Sequence, residues 1–277
     1  MIRKIILTCT ILLVGSMVLH AEEPAQQFEG FNLEGYSQNG QKSWDVKGET
    51  ADIMGNLIKL NNIVANAYGD EKMNLTAQNG TIDQGSGKMH LEKDVVITTE
   101  TGTKMTTDSL DWEREKDLVT TNDPVKLTNK DMTATGTGAI AHPGLKTAQM
   151  NEDVTVNVKS DSQTPENEPT KIQNVTITCD GPLEIDQAKQ MAIFNKNVVA
   201  VQEGRTLKAD KIEMYFDMVT NRIKQMVCLG NVEITQGENI TYSEKAVYNA
   251  GDQKLILSGR PKLILNIGEN GLAPLGN

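Results

Sequence analysis

Nearly every segment after Gly40 alternates apolar and polar residues with a period of two, the spacing that sends successive side chains to opposite faces of a strand. Met89-His90-Leu91-Glu92 running into Val95-Val96-Ile97 shows it, as do Lys208 to Phe216 and Lys254-Leu255-Ile256-Leu257. Turn residues punctuate the pattern at Asn79-Gly80, Gly85-Ser86-Gly87, Glu238-Asn239 and Gly251-Asp252. No window past the N-terminal segment carries the 3.6-residue apolar period of an amphipathic helix. The charged run from Asp111 to Asp117 falls where comparable segments turn, and reads as a hairpin tip. The pattern predicts an all-β fold of antiparallel strands.

The strands also repeat. A polar residue followed by a short aliphatic pair recurs about every thirty residues: Asp94-Val95-Val96-Ile97, Asp123-Pro124-Val125-Lys126-Leu127, Asp153-Val154-Thr155-Val156, Asn197-Val198-Val199-Ala200-Val201, Asn231-Val232-Glu233-Ile234 and Arg260-Pro261-Lys262-Leu263, with a weaker copy at Asn62-Ile63-Val64. A second element sits between them, at Leu75-Thr76-Ala77, Met105-Thr106-Thr107, Met132-Thr133-Ala134, Leu207-Lys208-Ala209 and Ile240-Thr241-Tyr242. Self-similarity of this period belongs to stacked architectures, whose units bury their apolar faces on one another. Alternation places Val95 and Ile97, Val125 and Leu127, Val154 and Val156, Val198 and Ala200, and Val232 and Ile234 on one face each. Stacked rung on rung, these ten residues would line an aliphatic trough. The same pattern equally describes a solid core.

The rhythm breaks once, between Asp153 and Asn197, where the interval contains a run from Lys159 to Thr170 whose only apolar residues are prolines. This divides the chain into an N-terminal segment 1–21, a β unit 28–159, a linker 160–170, a second β unit 171–267 and a Gly-rich tail 268–277. Residues 1–21 read as an export signal, with Arg3 and Lys4 ahead of the apolar stretch Ile5 to Leu19, and Ala21 at the cleavage edge. The segment is either removed or kept as a membrane anchor. Its removal takes away two positive charges and moves the formal net charge from −10 to −12.

That acidity, with 27 basic against 37 acidic residues, argues against nucleic-acid binding, which needs Lys and Arg on phosphates. An anionic lipid would accordingly be held by its acyl chains. Aromatic residues make up only 4% of the chain, which leaves few rings to plug an interior or to stack on sugars. His20, His90 and His142 are scattered without metal-ligand spacing, and no nucleophile–base pair stands out, so neither an enzyme nor a metal or other cofactor is expected. Outside the N-terminal segment, Cys179 and Cys228 could pair in an oxidising compartment or remain as small buried thiols.

The second half, through Leu207-Lys208-Ala209-Asp210, Gly230-Asn231-Val232-Glu233-Ile234 and Ala246-Val247-Tyr248, resembles the LptA (OstA-like) family. The first half resembles LptC through the run from Gly35-Tyr36 to Trp44-Asp45-Val46-Lys47-Gly48-Glu49-Thr50-Ala51. Together these cover about residues 28 to 265. The resemblance implies two tandem OstA-like β-jellyroll units stacked end to end, each of two sheets facing across an open seam. It implies a periplasmic protein of lipopolysaccharide transport and outer-membrane biogenesis, which shelters lipid A acyl chains in its trough and leaves the sugars outside. Implied partners are lipopolysaccharide, an inner-membrane LptB/LptF/LptG-type ABC transporter, an outer-membrane LptD-type translocon and further copies joined edge to edge. On this reading the inner channel is left unfilled by the protein's own side chains. The rival reading is an exported structural or carbohydrate-binding repeat protein with a solid core.

Overall fold

The computed structural model describes residues 26–69, 72–161, 172–217 and 222–265. The segment 1–21 anticipated as an export signal or anchor, residues 162–171 of the break and the tail 268–277 lie outside the described residues. The first run of strands is β1 (Gln26–Tyr36), β2 (Lys42–Met54), β3 (Leu57–Tyr68), β4 (Lys72–Asp83), β5 (Lys88–Thr99), β6 (Lys104–Glu113), β7 (Leu118–Thr128), β8 (Met132–His142) and β9 (Thr147–Asp161). Beyond the break come β10 (Ile172–Cys179), β11 (Leu183–Asp186), β12 (Met191–Gln202), β13 (Arg205–Phe216), β14 (Ile223–Gln236), β15 (Asn239–Asn249), β16 (Lys254–Ser258) and β17 (Lys262–Ile264). The anticipated tip between β6 and β7 is a short 3-10 turn, Arg114–Lys116, closed by Asp117 in a left-handed conformation.

All pairings are antiparallel, and all but β9–β11, β10–β12 and β15–β17 join strands consecutive in the chain. β10 and β11 together occupy one place between β9 and β12, and β16 and β17 share the place beside β15. Most ladders break once near mid-strand, for example between Glu92 and Val95 in β5 and between Leu229 and Val232 in β14. The backbone is left-handed there at Asn62 (φ 50°), Asp94 (φ 53°), Asp153 (φ 53°), Asn197 (φ 51°), Asn231 (φ 45°) and, between β16 and β17, Arg260 (φ 55°). These are six of the polar residues that open the recurring phrases. The first five are bends inside strands of 12 to 15 residues rather than strand starts. Asn and Asp tolerate this conformation better than other side chains, and the extra residue of a bulge bends and twists its strand. Hydrogen bonds to an earlier strand or turn hold several of them: Asn62 to Glu49, Asp94 to Gln78, Asn197 to Asp180, and Asn231 to Asp210 at 2.9 Å.

Because the strands bend at a common level, the sheet folds over on itself into a β-jellyroll. The half-strands before and after the bend then pack as opposing walls. A β-carbon at Gly80, on one wall, would stand 2.6 Å from Ile63 Cδ1 on the other, so glycine is what permits the approach. Hairpin tips line both outer ends of the walls, and no strand pairing joins the two rows of tips among the described residues. That unpaired line is the seam.

The interior forms two clusters. One runs from Val46 to Leu110, the other from Val125 to Ala246, and Met105 packs against both. They meet at β6–β7, whereas the ladder of β9 and β10 carries the sheet across the compositional break, with Val158 opposite Val175 and Val154 opposite Cys179.

Candidate lipid-contacting trough

The half-strands on one side of the bend set their inward side chains in two parallel rows. The inner row consists of bulky–small pairs: Ile63 opposite Ala77, Val95 opposite Thr107, Val125 opposite Gly136, Val154 opposite Cys179, Val198 opposite Ala209 and Val232 opposite Ser243. Its isoleucine and five valines are 0–3% exposed. The interior is therefore not the unfilled channel expected from sequence along this line. A valine facing a small side chain closes the floor by its own volume.

The second row lies two residues further from the bend. It passes without a register slip from Leu33 through Val46, Ala65, Leu75, Ile97, Met105, Leu127 and Ala134. It continues through Val156, Ile177, Ala200, Leu207, Ile234 and Thr241 to Leu263. Ile97, Leu127, Ala200 and Ile234 are half-buried here, and Val156 is buried. Of the ten residues anticipated from sequence, five (Val95, Val125, Val154, Val198, Val232) fall in the inner row. The other five (Ile97, Leu127, Val156, Ala200, Ile234) fall in the second. Every one belongs to, or packs on, the two interior clusters.

The facing wall went unnamed at the sequence level. It carries Leu60, Gly80, Leu91 and Leu110 in register on one side, and Phe194, Ile212, Cys228 and Ala246 on the other. The alternation in Lys208 to Phe216, which turns Ile212 and Met214 inward, was the available signal. Cys179 and Cys228 stand on opposite walls as free, buried thiols. Burial raises both, Cys228 to about 12, so neither is a reactive thiolate at neutral pH.

Among the residues of described burial, Asp45 is the one buried charged side chain. At the N-terminal end a network on the outer face ties the first strands together. Asp45, 2% exposed, accepts from Asn66 at 2.9 Å and Tyr68 at 2.7 Å and meets Lys42 Nζ at 3.0 Å, while Lys42 also reaches Glu34 at 2.8 Å. The hydrogen bonds from Asn66, Tyr68 and Lys42 hold the Asp45 carboxyl well below the usual carboxylate range, at about 2. His90 bonds Asp111 at 2.7 Å, and His142 bonds the Asp117 carbonyl at 2.9 Å. A polar cleft of about 500 Å³ at the bend, lined by Gln78, Glu92, Lys93, Asp94, Asp108 and Ser109, is likewise external and shares no residue with the rows.

The described residues thus form a β-jellyroll, an antiparallel sheet folded over an aliphatic interior with no strand pairing across its seam. The family model described as lipopolysaccharide-assembly, LptC-related, matches residues 17–159, and that of the LptA/(LptD N-terminal domain) LPS transport protein matches residues 176–271. The chain belongs to the LptC-related lipopolysaccharide-assembly family. Among solved structures it is similar to LptH of Pseudomonas aeruginosa, described as the LptA homologous periplasmic component of the conserved lipopolysaccharide transport device. The identity is 13%, over 70% of this chain and 95% of that one, with a TM-score of 0.23. No curated protein sequence matches the chain.

Proposed function

We propose that the chain is a periplasmic, non-enzymatic conduit. Lipopolysaccharide acyl chains would lie along the second row, between an LptC-like part at 28–159 and an LptA-like part at 171–267. The observation that carries this reading is the unbroken register of that row from Leu33 to Leu263, across the compositional break. Each methylene withdrawn from water is worth about 0.8 kcal/mol, so a multi-chain lipid crossing an aqueous gap unsheltered faces tens of kcal/mol. A continuous apolar row removes that barrier without a catalytic group. Entry requires the walls to part, and because no strand pairing spans the seam, parting them exchanges side-chain packing for lipid contact and breaks no ladder hydrogen bond.

Among the described residues both ends of the sheet are unpaired, β1 on one side and β16–β17 on the other, with Phe28, Tyr36, Leu263 and Ile264 exposed. Such edges suit strand addition to inner- and outer-membrane transport components or to another copy. A solid-core structural protein is the second reading, and the tightly closed valine row favours it. Photocrosslinking in growing cells separates the two. Probes at Ile97, Leu127 and Ile234 should give lipopolysaccharide adducts, and probes at the outward Glu92 and Glu233 should not. Adducts confined to the glutamates, or absent everywhere, would reject the conduit.

A further inference from the structure

The last pair of the inner row ends differently from the others. Ser243, opposite Val232, is 8% exposed, and its Oγ is a buried side-chain oxygen with no hydrogen-bond partner among the described residues. The row's other hydroxyl, Thr107, is matched by Thr121 Oγ at 3.3 Å. Along β15 the neighbours Tyr242 and Glu244 are exposed, so Ser243 points inward beside Val232. The edge strand does not reach it. Its pairing jumps from Ser258–Lys245 to Lys262–Tyr242 across the left-handed Gly259 and Arg260, which leaves Ser243 without a cross-strand partner on that side.

A buried hydroxyl left unpaired is a cost that cores avoid. Alanine fills the equivalent small position at 77 and 209 and carries no such cost. We infer that Ser243 is a hydrogen-bonding point for a hydroxyl or keto oxygen borne on an acyl chain a few carbons beyond its carboxyl carbon, when the chain lies in the trough. This rests on the conduit reading and adds selectivity to it. An unsubstituted chain leaves the hydroxyl unpaired inside an apolar site, whereas an oxygenated chain satisfies it, and buried polar groups discriminate most sharply against ligands that cannot pair them.

The test compares binding of tetradecanoic, 3-hydroxytetradecanoic and 3-oxotetradecanoic acids to the full chain and to Ser243→Ala, alongside the melting temperature of both proteins. The wild type should bind one or both oxygenated chains about three- to tenfold more tightly than tetradecanoic acid, the size of one neutral buried hydrogen bond. Preference for the hydroxy acid alone identifies a hydroxyl as the partner; preference for both identifies an oxygen acceptor. Ser243→Ala should bind all three alike, at the wild type's level for tetradecanoic acid, and should melt no lower than the wild type. Equal binding of all three by the wild type overturns the assignment of Ser243 and leaves the trough standing. So does a preference retained in Ser243→Ala, or a lowered melting temperature, which would mean the hydroxyl is bonded within the protein. Failure of the wild type to bind any of them rejects the trough itself and this inference with it.

Discussion

The residues that shape this molecule are the polar ones at the head of each repeated phrase. Their positions were legible in the sequence, but their role was not, because Asn and Asp serve open turns and left-handed bends alike, and a hydropathy pattern carries no information on the sign of φ. Asn231 shows what the bend demands: it sits at φ 45° and donates to Asp210. Asn231→Val should destabilise by about 1–2 kcal/mol in denaturant unfolding, the cost of a left-handed backbone for a β-branched residue, while Asn231→Gly should lose only the side-chain bond. Equal losses for the two would show that the backbone is not the issue. Asp45 offers a second test. Folding depresses its carboxyl to about 2, so the stability it contributes is complete above the ordinary carboxyl range near 4 and is lost as pH falls toward 2. Thermal melts of wild type and Asp45→Asn should converge across that interval as the wild type loses its advantage. A constant gap would place the acid sensitivity elsewhere.

At the scale of elements, period-two alternation made the strands readable, along with the inward face of Val95, Val125, Val154, Val198 and Val232. Pairing was harder to see. Proline-rich polar residues before Thr170 mark a break in composition, yet nothing in that run announces that β9 and β10 on either side lie against each other through eight residue pairs. Strand partners are set by cross-strand contacts between distant segments, which a one-dimensional pattern does not record. The consequence is testable: proteolytic nicking between 162 and 171 should leave two fragments that co-elute under native conditions. Their separation on a sizing column would mean that the ladder and the shared cluster do not hold the parts together. The second wall escaped notice for a related reason, since Phe194, Ile212 and Cys228 meet the valine row only once the strands bend.

At the scale of the whole molecule, the described residues form one folded sheet with a floor packed shut by valines, a largely aliphatic row above it, a seam that no strand ladder among them crosses, and edges unpaired among them at both ends. The chain's formal charge of −10 makes acyl chains, rather than phosphates, the group that the proposed conduit would hold. On the proposed conduit reading, opening the seam would trade protein packing for lipid packing, two terms of similar size per unit area, so a small driving force would suffice. The most direct measurement is methyl-resolved NMR of the protein loaded with lipopolysaccharide, read as intermolecular contacts from the acyl methylenes. Contacts to Ile97, Leu127 and Ile234 in both parts of the chain, with none to the outward-facing Val64 and Val201, are the predicted result. Contacts to Val64 and Val201 with the second row silent would contradict the conduit.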